Sequence, residues 1–245
     1  MKKLAIIIPC YNEAKRLNFK ELESFAIKSK NTHLFFANDG STDETLELIE
    51  KFSSGFENMS SMDFGLNQGK AETVRKASLK VLEESDFDLI GYWDADLATP
   101  LNEIDNFLRE IGTRENLKVI LGTRILRLGA QIERKRYRHY LGRVFATIVS
   151  MMLKLPVYDT QCGAKIFEAS LARKIFQERF VTKWFFDVEL FFRAIDPSVG
   201  NIDKNSFYEL PLEKWKDVAG SKLKVTDFIK TPLELFKIYK KYYNA

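Results

Sequence analysis

The first half of the chain alternates short apolar runs with helical patterns, and this alternation constrains the fold more than any other feature. The apolar runs, bounded by turn residues, cover residues 4–8, 34–37, 89–93 and 119–121. Apolar residues at threefold and fourfold spacing predict helices over residues 42–52 and 70–82. This βαβα order predicts an α/β fold with a mostly parallel sheet flanked by helices, and with ligands beyond the carboxyl ends of the strands.

The alternation fades from about residue 124 onward. A basic segment follows, then helical patterns near 164–176 and 186–195, and a strand pattern at 207–212. Neither a linker nor an internal repeat is visible, and 245 residues suit one domain. We expect a single domain whose second half, 124–245, elaborates the first.

Composition excludes several classes of protein. The formal net charge of +4 is modest, so bulk nucleic-acid binding receives no support. Cys10 and Cys162 lie far apart without a histidine at ligand spacing, which argues against zinc and fits a reducing cytoplasm. Pro9 ends the first apolar run too early for a signal peptide, and the apolar stretch 144–153 is about half as long as a membrane span. We expect a cytoplasmic chain without a transmembrane span.

Asp94 and Asp96 follow directly after the apolar run 89–93. At the end of a strand two such carboxylates can converge on one hard cation, and Mg²⁺ or Mn²⁺ is commonly held by one or two carboxylates plus substrate phosphates. The pair therefore predicts a metal site for phosphate-bearing substrates. The alternative is that both residues serve only as turn and helix-cap residues.

Two further polar motifs follow the first two strands. After Pro9, the residues Tyr11, Asn12 and Glu13 offer a ring and hydrogen-bond acceptors, which makes this segment a candidate base pocket. Asp39, after the second strand, is a candidate acceptor from a ribose hydroxyl or a base imide. The competing interpretation of the Asp39 segment is a tight turn and helix cap.

Two basic motifs are candidates for binding phosphate. Gly69 and Lys70 precede a helix, where close backbone approach and positive charge favour an anion, although the P-loop spacing is absent. Arg124 ends a strand and Arg138 lies 14 residues later, so the two guanidinium groups are candidates for a second, non-nucleotide phosphate. For the neighbouring Arg134, Lys135 and Arg136, a solvated basic face is the favoured interpretation.

Taken in order, these motifs resemble inverting glycosyltransferases of family two, which have a GT-A fold. The second half is similar to the polyprenyl-phosphate members, particularly dolichyl-phosphate β-glucosyltransferases. The motifs that carry the resemblance are Pro9-Cys10-Tyr11-Asn12-Glu13, Asn38-Asp39-Gly40-Ser41-Thr42-Asp43, Asn67-Gln68-Gly69-Lys70, Asp94-Ala95-Asp96-Leu97, Gly122-Thr123-Arg124, Asp159-Thr160-Gln161-Cys162-Gly163, Trp184-Phe185-Phe186-Asp187-Val188-Glu189 and Trp215 before Gly220-Ser221-Lys222-Leu223.

The resemblance implies a role for each motif. Residues 1–123 would be the nucleotide-sugar half and 124–245 the acceptor half, with a basic amphipathic C-terminal helix. Asp94 and Asp96 would hold the metal on the donor diphosphate, and the region of Asp187 and Glu189 would shape the acceptor side. The nucleotide-binding set would be Pro9, Tyr11, Asn12, Glu13, Asp39, Gly69, Lys70 and Asp94, and the acceptor-phosphate set Arg124, Arg138 and Lys222.

Two departures bear on the donor. Mannosyl-type relatives carry Gln two residues after the paired acids, where this chain has Ala98. The chain also lacks their Arg before the Gly-x-Ser-Lys motif. Both departures favour UDP-glucose or another UDP-hexose over GDP-mannose.

The expected reaction is one in-line displacement at the anomeric carbon. A phosphate acceptor has a second pKa near ~6 and is already ionised, so it needs no strong base. An alcohol acceptor would need one, for which Asp187 is the candidate. The catalytic candidates are therefore Asp94, Asp96, Asp187 and Arg124.

A polyprenyl phosphate acceptor requires contact with a bilayer. Residues 134–153 and 222–243 combine basic with apolar and aromatic residues, as in helices that lie in a membrane interface. We therefore expect peripheral attachment at the cytoplasmic face. The alternative is that these apolar faces pack on the core or on a second subunit in a homodimer.

Other functions remain open at this point. A glycosyltransferase with a sugar hydroxyl as acceptor, in cell-surface polysaccharide synthesis, would share the donor half. A nucleotidyltransferase usually has a glycine-rich first turn, which this chain lacks. A non-catalytic sugar-nucleotide module would have no need of both Asp94 and Asp96.

Overall fold

The computed structural model describes residues 2–133, 136–218 and 225–243, without the side chains of residues 136–139, 141, 225–230 and 243. In that part of the chain the strands are β1 (Leu4–Cys10), β2 (Thr32–Asn38), β3 (Met59–Asp63), β4 (Leu89–Trp93), β5 (Val119–Thr123), β6 (Gln131–Glu133), β7 (Ala164–Glu168), β8 (Phe207–Pro211) and β9 (Lys214–Lys216). The helices are α1 (Phe19–Lys28), α2 (Thr45–Ser53), α3 (Lys70–Glu84), α4 (Glu103–Thr113), α5 (Arg136–Leu153), α6 (Ala169–Ile175), α7 (Phe186–Ile195) and α8 (Val225–Tyr243).

Seven strands form one sheet in the order β3-β2-β1-β4-β7-β5-β8. Neighbouring strands pair in parallel except at β7, which runs antiparallel to both β4 and β5. Strands β6 and β9 form a separate parallel pair. The predicted α/β fold with a mostly parallel sheet is confirmed.

Both faces of the sheet are covered, as β1 shows most simply. Leu4, Ile6 and Ile8 pack into the cluster that includes residues of α1, α2 and α4, whereas Ala5 and Ile7 pack with α3, α6 and α7. All five are fully buried. Because side chains alternate between faces along a strand, a strand covered on both sides is apolar throughout.

A third apolar cluster lies between the helices of the second half. Val149 and Leu153 of α5 pack with Phe191 of α7 and with Leu235 and Ile238 of α8. This packing places α5 and α8 together, beside the sheet.

Helices α5 and α8 also carry much of the exposed apolar surface. None of the helices within the described ranges combines the length and apolar character that crossing a membrane requires. The exposed apolar residues are Tyr140, Val144, Ile148 and Met151 on α5, and Leu233, Phe236 and Tyr239 on α8. Within each helix they recur every three or four residues, which places them along one side of that helix.

The prediction of one helix over 164–176 is wrong in its first part. Residues Ala164–Glu168 form β7 between two other strands, and only Ala169–Ile175 form a helix. A strand buried on both faces is apolar without alternation, so its pattern cannot be told from that of a buried helix. The helix over 186–195 is confirmed, and α2 begins at Thr45, three residues later than predicted.

Gly91 of β4 lies so close to β7 that no side chain fits. A Cβ atom there would lie 2.3 Å from the carbonyl oxygen of Lys165, which is a backbone atom. A Cβ atom at Gly112, in α4, would meet no other atom of the described chain within 4 Å.

We therefore expect opposite effects from the same substitution at these two glycines. Gly91→Ala should lower the free energy of unfolding by at least about 1–3 kcal/mol because the strands must separate. Gly112→Ala should raise it by about 0.5–1 kcal/mol because alanine favours a helix. Urea denaturation measures both, and a wild-type midpoint for Gly91→Ala would contradict the close packing of β4 on β7.

Candidate active site

A cavity of about 1240 Å³ opens at the carboxyl ends of the parallel strands. Pro9 and Asp39, from the ends of β1 and β2, line one part of it. Asp94 and Arg124, which directly follow β4 and β5, line another part, and α5 and α8 contribute the far wall. The cavity thus lies at the edge of the sheet where the βαβα alternation predicts ligands.

Asp94 and Asp96 both line this cavity, and each carboxylate faces one cation. The Nζ atom of Lys70 lies 2.6 Å from Oδ1 of Asp94, and Nη2 of Arg16 lies 3.2 Å from Oδ2 of Asp96. Burial raises the pKa of Asp96 and the neighbouring charge of Asp94 raises it further, only partly offset by the N–H of Ala98 and by Arg16 and Lys70. The carboxylate of Asp96 therefore remains incompletely compensated by positive charge.

The carboxylates of Asp94 and Asp96 suit a divalent cation whose remaining ligands come from a substrate. Among the described residues, no group of three or more His, Cys, Asp or Glu residues could hold a metal. Two carboxylates in a cavity with room for phosphate oxygens fit Mg²⁺ or Mn²⁺, which bind through one or two carboxylates plus substrate oxygens. Asp94 and Asp96 are the residues that would hold it.

Gly163 presses against the carboxylate of Asp94. A Cβ atom at Gly163 would lie 1.8 Å from Oδ2 of Asp94, and the N–H of Asp94 donates to the carbonyl of Gly163 at 3.0 Å. Any side chain at this position would displace the carboxylate. This contact explains in physical terms why the segment after Cys162 carries a glycine.

The structure brings three of the residues predicted to form a base pocket to the cavity. Pro9, Tyr11 and Glu13 line the cavity. Asn12 is not among the lining residues, since its Oδ1 accepts from the N–H of Thr42 at 2.8 Å. Asn12 thus ties the loop after β1 to the loop after β2.

Asp39 shapes the start of α3. Its two carboxylate oxygens accept from the N–H groups of Gln68 at 2.8 Å and Gly69 at 2.9 Å. Gly69 has a φ of +91°, a region that glycine reaches without strain, and the helix begins at Lys70. Burial lowers the pKa of Lys70, but Asp94 and Asp187 together raise it above its usual value, so this side chain stays charged.

Asp187, in the first turn of α7, lines the cavity and meets two donors. Its Oδ1 accepts from Nζ of Lys165 at 2.6 Å and from the hydroxyl of Tyr92. Burial and the adjacent carboxylate raise the pKa of Tyr92 well above its usual value, so the phenol keeps its proton and donates. Lys165 is fully buried and also donates to the carbonyl of Cys162 at 2.5 Å.

Glu189 has a different setting, because it is fully buried and does not line the cavity. It forms an ion pair with Arg193 at 2.9 Å and accepts from the N–H of Val181 and from the hydroxyl of Tyr242. These contacts join α7 to the preceding loop and to α8. Glu189 therefore does not reach the cavity and acts on its shape only through the packing of α7.

Arg124 lines the cavity, but its guanidinium is engaged. Nε and Nη2 donate to the two oxygens of Asp159 at 2.6 and 2.7 Å. Burial alone would lower the pKa of Arg124, but Asp159 raises it above its usual value. The carboxylate of Asp159 thus occupies one edge of the Arg124 guanidinium, the group predicted to bind a phosphate.

The other two predicted phosphate ligands lie outside the described side chains. Arg138 falls in α5 where only the backbone is described, and Lys222 falls outside the described residues.

Four cavity-lining or neighbouring residues were missed by the sequence prediction. Arg16 follows Glu13 by one turn, and Lys165 stands alone in an apolar run; neither position carries a recognisable motif. Arg143 and Lys183 also line the cavity. Only proximity in the folded chain distinguishes Arg16, Arg143 and Lys183 from other cations of the protein.

Comparison with known proteins identifies the family to which this chain belongs. Residues 5–176 match the model of glycosyl transferase family 2. Dolichyl-phosphate beta-glucosyltransferase ALG5A of Trichomonas vaginalis is 28% identical over 96% of this chain and 72% of its own length. The dolichyl-phosphate beta-glucosyltransferase of Saccharomyces cerevisiae is 29% identical over 95% of this chain and 72% of its own length.

Solved structures agree on the fold. Glucosyl-3-phosphoglycerate synthase from Mycobacterium tuberculosis, in complex with Mn²⁺, UDP and glucosyl-3-phosphoglycerate, superposes with a TM-score of 0.69. The match covers 98% of this chain and 80% of that one at 15% identity, and it confirms the predicted GT-A fold. From the matched family model, together with this fold, it follows that the chain is a glycosyltransferase and belongs to glycosyl transferase family 2.

Proposed function

We propose that this chain transfers glucose from UDP-glucose to the phosphate of a polyprenyl phosphate, with inversion at the anomeric carbon. The observation that carries the proposal is one cavity that joins Asp94 and Asp96 to an apolar extension walled by α5 and α8. Two curated relatives named dolichyl-phosphate beta-glucosyltransferase, each matched over 95% or more of this chain, support the acceptor and the sugar.

The donor is proposed to bind in the half formed by residues 1–123. Pro9, Tyr11 and Glu13 offer a base pocket, and the small side chain of Ala98 lines the cavity where mannosyl-type relatives carry glutamine. The complex of the M. tuberculosis neighbour with UDP supports a uridine nucleotide. Residues 124–245 then form the acceptor half.

Positive charge from the chain itself faces the proposed diphosphate site. Lys70 and the first N–H groups of α3 lie at the helix N-terminus, where an anion is stabilised. Mg²⁺ or Mn²⁺ held by Asp94 and Asp96 would supply further charge to the leaving diphosphate. Lys70, as a counter-ion of Asp94 at 2.6 Å, keeps that carboxylate in place.

The proposed step is a single displacement. An oxygen of the acceptor phosphate forms a bond to the anomeric carbon on the face opposite the diphosphate. The bond from this carbon to the diphosphate breaks, and its electron pair leaves with UDP. The second pKa of a phosphate monoester lies near ~6, so the nucleophile is already ionised at neutral pH and no protein base is required.

A hydroxyl acceptor is the second candidate, because Asp187 lines the cavity. Both donors recorded for this carboxylate meet Oδ1, which leaves Oδ2 to take a proton. Under this alternative the acceptor is an alcohol and Asp187 is the general base.

The main test is an assay with a panel of UDP- and GDP-sugars and citronellyl phosphate, followed by mass analysis of the lipid. We expect a citronellyl phosphate hexose from UDP-glucose and none from GDP-mannose. Asp96→Asn should lower turnover by at least about 100-fold, because charge stabilisation of the leaving group is lost. Product from GDP-mannose alone would refute the donor assignment.

A binding measurement separates this loss from misfolding. Calorimetry should show that Mn²⁺ tightens UDP binding to the wild type and to Asp105→Asn, an exposed carboxylate of α4. The same metal effect should vanish in Asp96→Asn with an unchanged melting temperature. An undiminished metal effect in Asp96→Asn would refute the role of this residue.

Asp187→Asn distinguishes the two acceptor classes. With an ionised phosphate acceptor we expect less than a tenfold fall in turnover, since no proton is removed. Loss of a general base would instead lower turnover by about 100- to 10,000-fold. Because Lys165 then lacks its counter-charge, assays are run well below the melting temperature. They are repeated with Lys165→Met added, which removes the unpaired charge.

Peripheral attachment at the cytoplasmic membrane face is proposed from the apolar sides of α5 and α8. Neither cysteine forms a disulfide, which fits a reducing compartment. Met151 and Leu233 are 74% and 65% exposed and do not line the cavity. Ile27, on α1, is 69% exposed and serves as a matched control.

We expect wild type and Ile27→Glu to co-sediment with vesicles that contain anionic lipid. Met151→Glu and Leu233→Glu should bind several-fold less, because a charge at a membrane-facing position opposes insertion. Turnover of citronellyl phosphate in solution should stay unchanged in both variants. If the wild type does not bind vesicles but sediments as a homodimer, the alternative is favoured, in which the apolar sides of α5 and α8 pack against a second copy of the chain.

A further inference from the structure

The ammonium group of Lys70 is held at Asp94 by three contacts. Its Nζ atom lies 2.6 Å from Oδ1 of Asp94. The same Nζ atom lies 5.5 Å from the ring centroid of Tyr92 and 5.7 Å from that of Phe186, where the face of a ring attracts a cation. A positive charge of the chain itself therefore occupies one of the carboxylates that suit a divalent cation.

The backbone at Lys70 is fixed, whereas its side chain can change partner. Lys70 is the first residue of α3. The N–H groups of Gln68 and Gly69, just before it, both donate to the buried carboxylate of Asp39. The side chain of Lys70 is nevertheless 36% exposed and lines the cavity. The ammonium group can thus turn from Asp94 to an anion in the cavity without any movement of the helix.

The two acids of the pair differ in how a cation of the chain engages them. Arg16 is shared, because Nη2 lies 3.2 Å from Oδ2 of Asp96 and Nη1 lies 3.1 Å from Oε2 of Glu13. The contact of Lys70 with Asp94 is shorter, at 2.6 Å. A divalent cation therefore meets an incompletely compensated carboxylate at Asp96, but at Asp94 it meets an ammonium group on a ligand oxygen.

Added negative charge would relieve this conflict. Lys70 and Arg16 already match Asp94 and Asp96 in number, so a divalent cation by itself brings an excess of positive charge. A diphosphate bound at the start of α3 would offset that excess. It would also offer the ammonium group of Lys70 a second acceptor within reach of the same side chain.

We infer that Lys70 competes with the divalent cation for Asp94 and thereby makes metal binding depend on a bound nucleotide diphosphate. The inference rests on the proposed function, in which Asp94 and Asp96 hold Mg²⁺ or Mn²⁺, and adds an exchange of partners to it. When the donor binds, the ammonium group turns from Asp94 to the diphosphate, and Oδ1 of Asp94 becomes available to the metal. Because coupling between two ligands is reciprocal, Lys70 also determines how much the metal tightens nucleotide binding.

The test measures Mn²⁺ binding without nucleotide, from the electron paramagnetic resonance signal of the free ion. Lys70→Met removes the charge but keeps an apolar side chain between the rings of Tyr92 and Phe186. We expect this variant to bind Mn²⁺ at least about tenfold more tightly than the wild type, because a unit charge a few ångströms away repels a divalent ion by at least that factor even in water. If the wild type binds too weakly to measure, its Kd is a lower limit that Lys70→Met should still improve on tenfold.

Two control variants separate the charge of Lys70 from other effects. Lys70→Arg keeps the positive charge and should bind Mn²⁺ alone as weakly as the wild type. Lys80→Met makes the same substitution at an exposed lysine of the same helix and should also match the wild type. Melting temperatures of all variants establish that each is folded under the conditions of the measurement.

Calorimetry with UDP gives a second measurement. UDP should tighten Mn²⁺ binding in the wild type, and this factor should be about tenfold smaller in Lys70→Met. If Lys70 did no more than hold Asp94 in place, its removal would instead weaken Mn²⁺ binding with and without UDP. Weaker binding, or an affinity for Mn²⁺ alone equal to that of the wild type, would overturn the inference.

Failure of the inference is separable from failure of the proposed function. If Mn²⁺ tightens UDP binding to the wild type but not to Asp96→Asn, and Lys70→Met matches the wild type, only the competition by Lys70 is overturned. If Mn²⁺ leaves UDP binding to the wild type unchanged and Lys70→Met does not bind Mn²⁺, the metal assignment of the proposed function falls and the inference falls with it.

Discussion

Repulsion between two carboxylates at the tip of β4 is the interaction around which the site is organised. Asp94 and Asp96, separated only by Ala95, directly follow the buried strand β4, and the pKa of Asp96 is raised by burial and by its neighbour. Two acids so placed need positive charge, which Lys70 supplies from the first turn of α3 and Arg16 from the loop after β1. Two carboxylates at one edge of the cavity also suit a divalent cation that binds beside a diphosphate.

Behind this pair, buried charges connect the part of the cavity near Asp94 to α7. Lys165 lies between β4 and β5 and reaches Asp187 at the start of α7, while Lys70 adds charge from the other side. Breaking one buried partner leaves the other without compensation, which costs about 3–5 kcal/mol in typical cases. The antiparallel strand β7 is therefore more than an insertion into the sheet, because it carries this lysine and follows the Gly163 contact that limits Asp94.

The side of the cavity formed by α5, α7 and α8 depends on helix packing. Glu189 and Arg193 pair inside α7, and Arg193 also donates to the carbonyls of Ile175, Glu178 and Arg179. Tyr242 of α8 joins this network. The polar side chains of this network form hydrogen bonds with one another on the side of α7 away from the cavity. The far wall of the cavity can therefore consist of apolar side chains of α5 and α8.

The linear sequence determined the alternation of strands and helices, the edge of the sheet where polar residues collect, and the pair Asp94 and Asp96. These properties are local, since they follow from hydrophobic period, turn residues and spacing. Only the tertiary structure decided that β7 is a strand, that Asp159 occupies the guanidinium edge of Arg124, and that Arg143 and Lys183 face one cavity. Those outcomes depend on contacts between residues distant in sequence, such as Arg124 and Asp159, 35 positions apart, and no local pattern encodes which charges become neighbours.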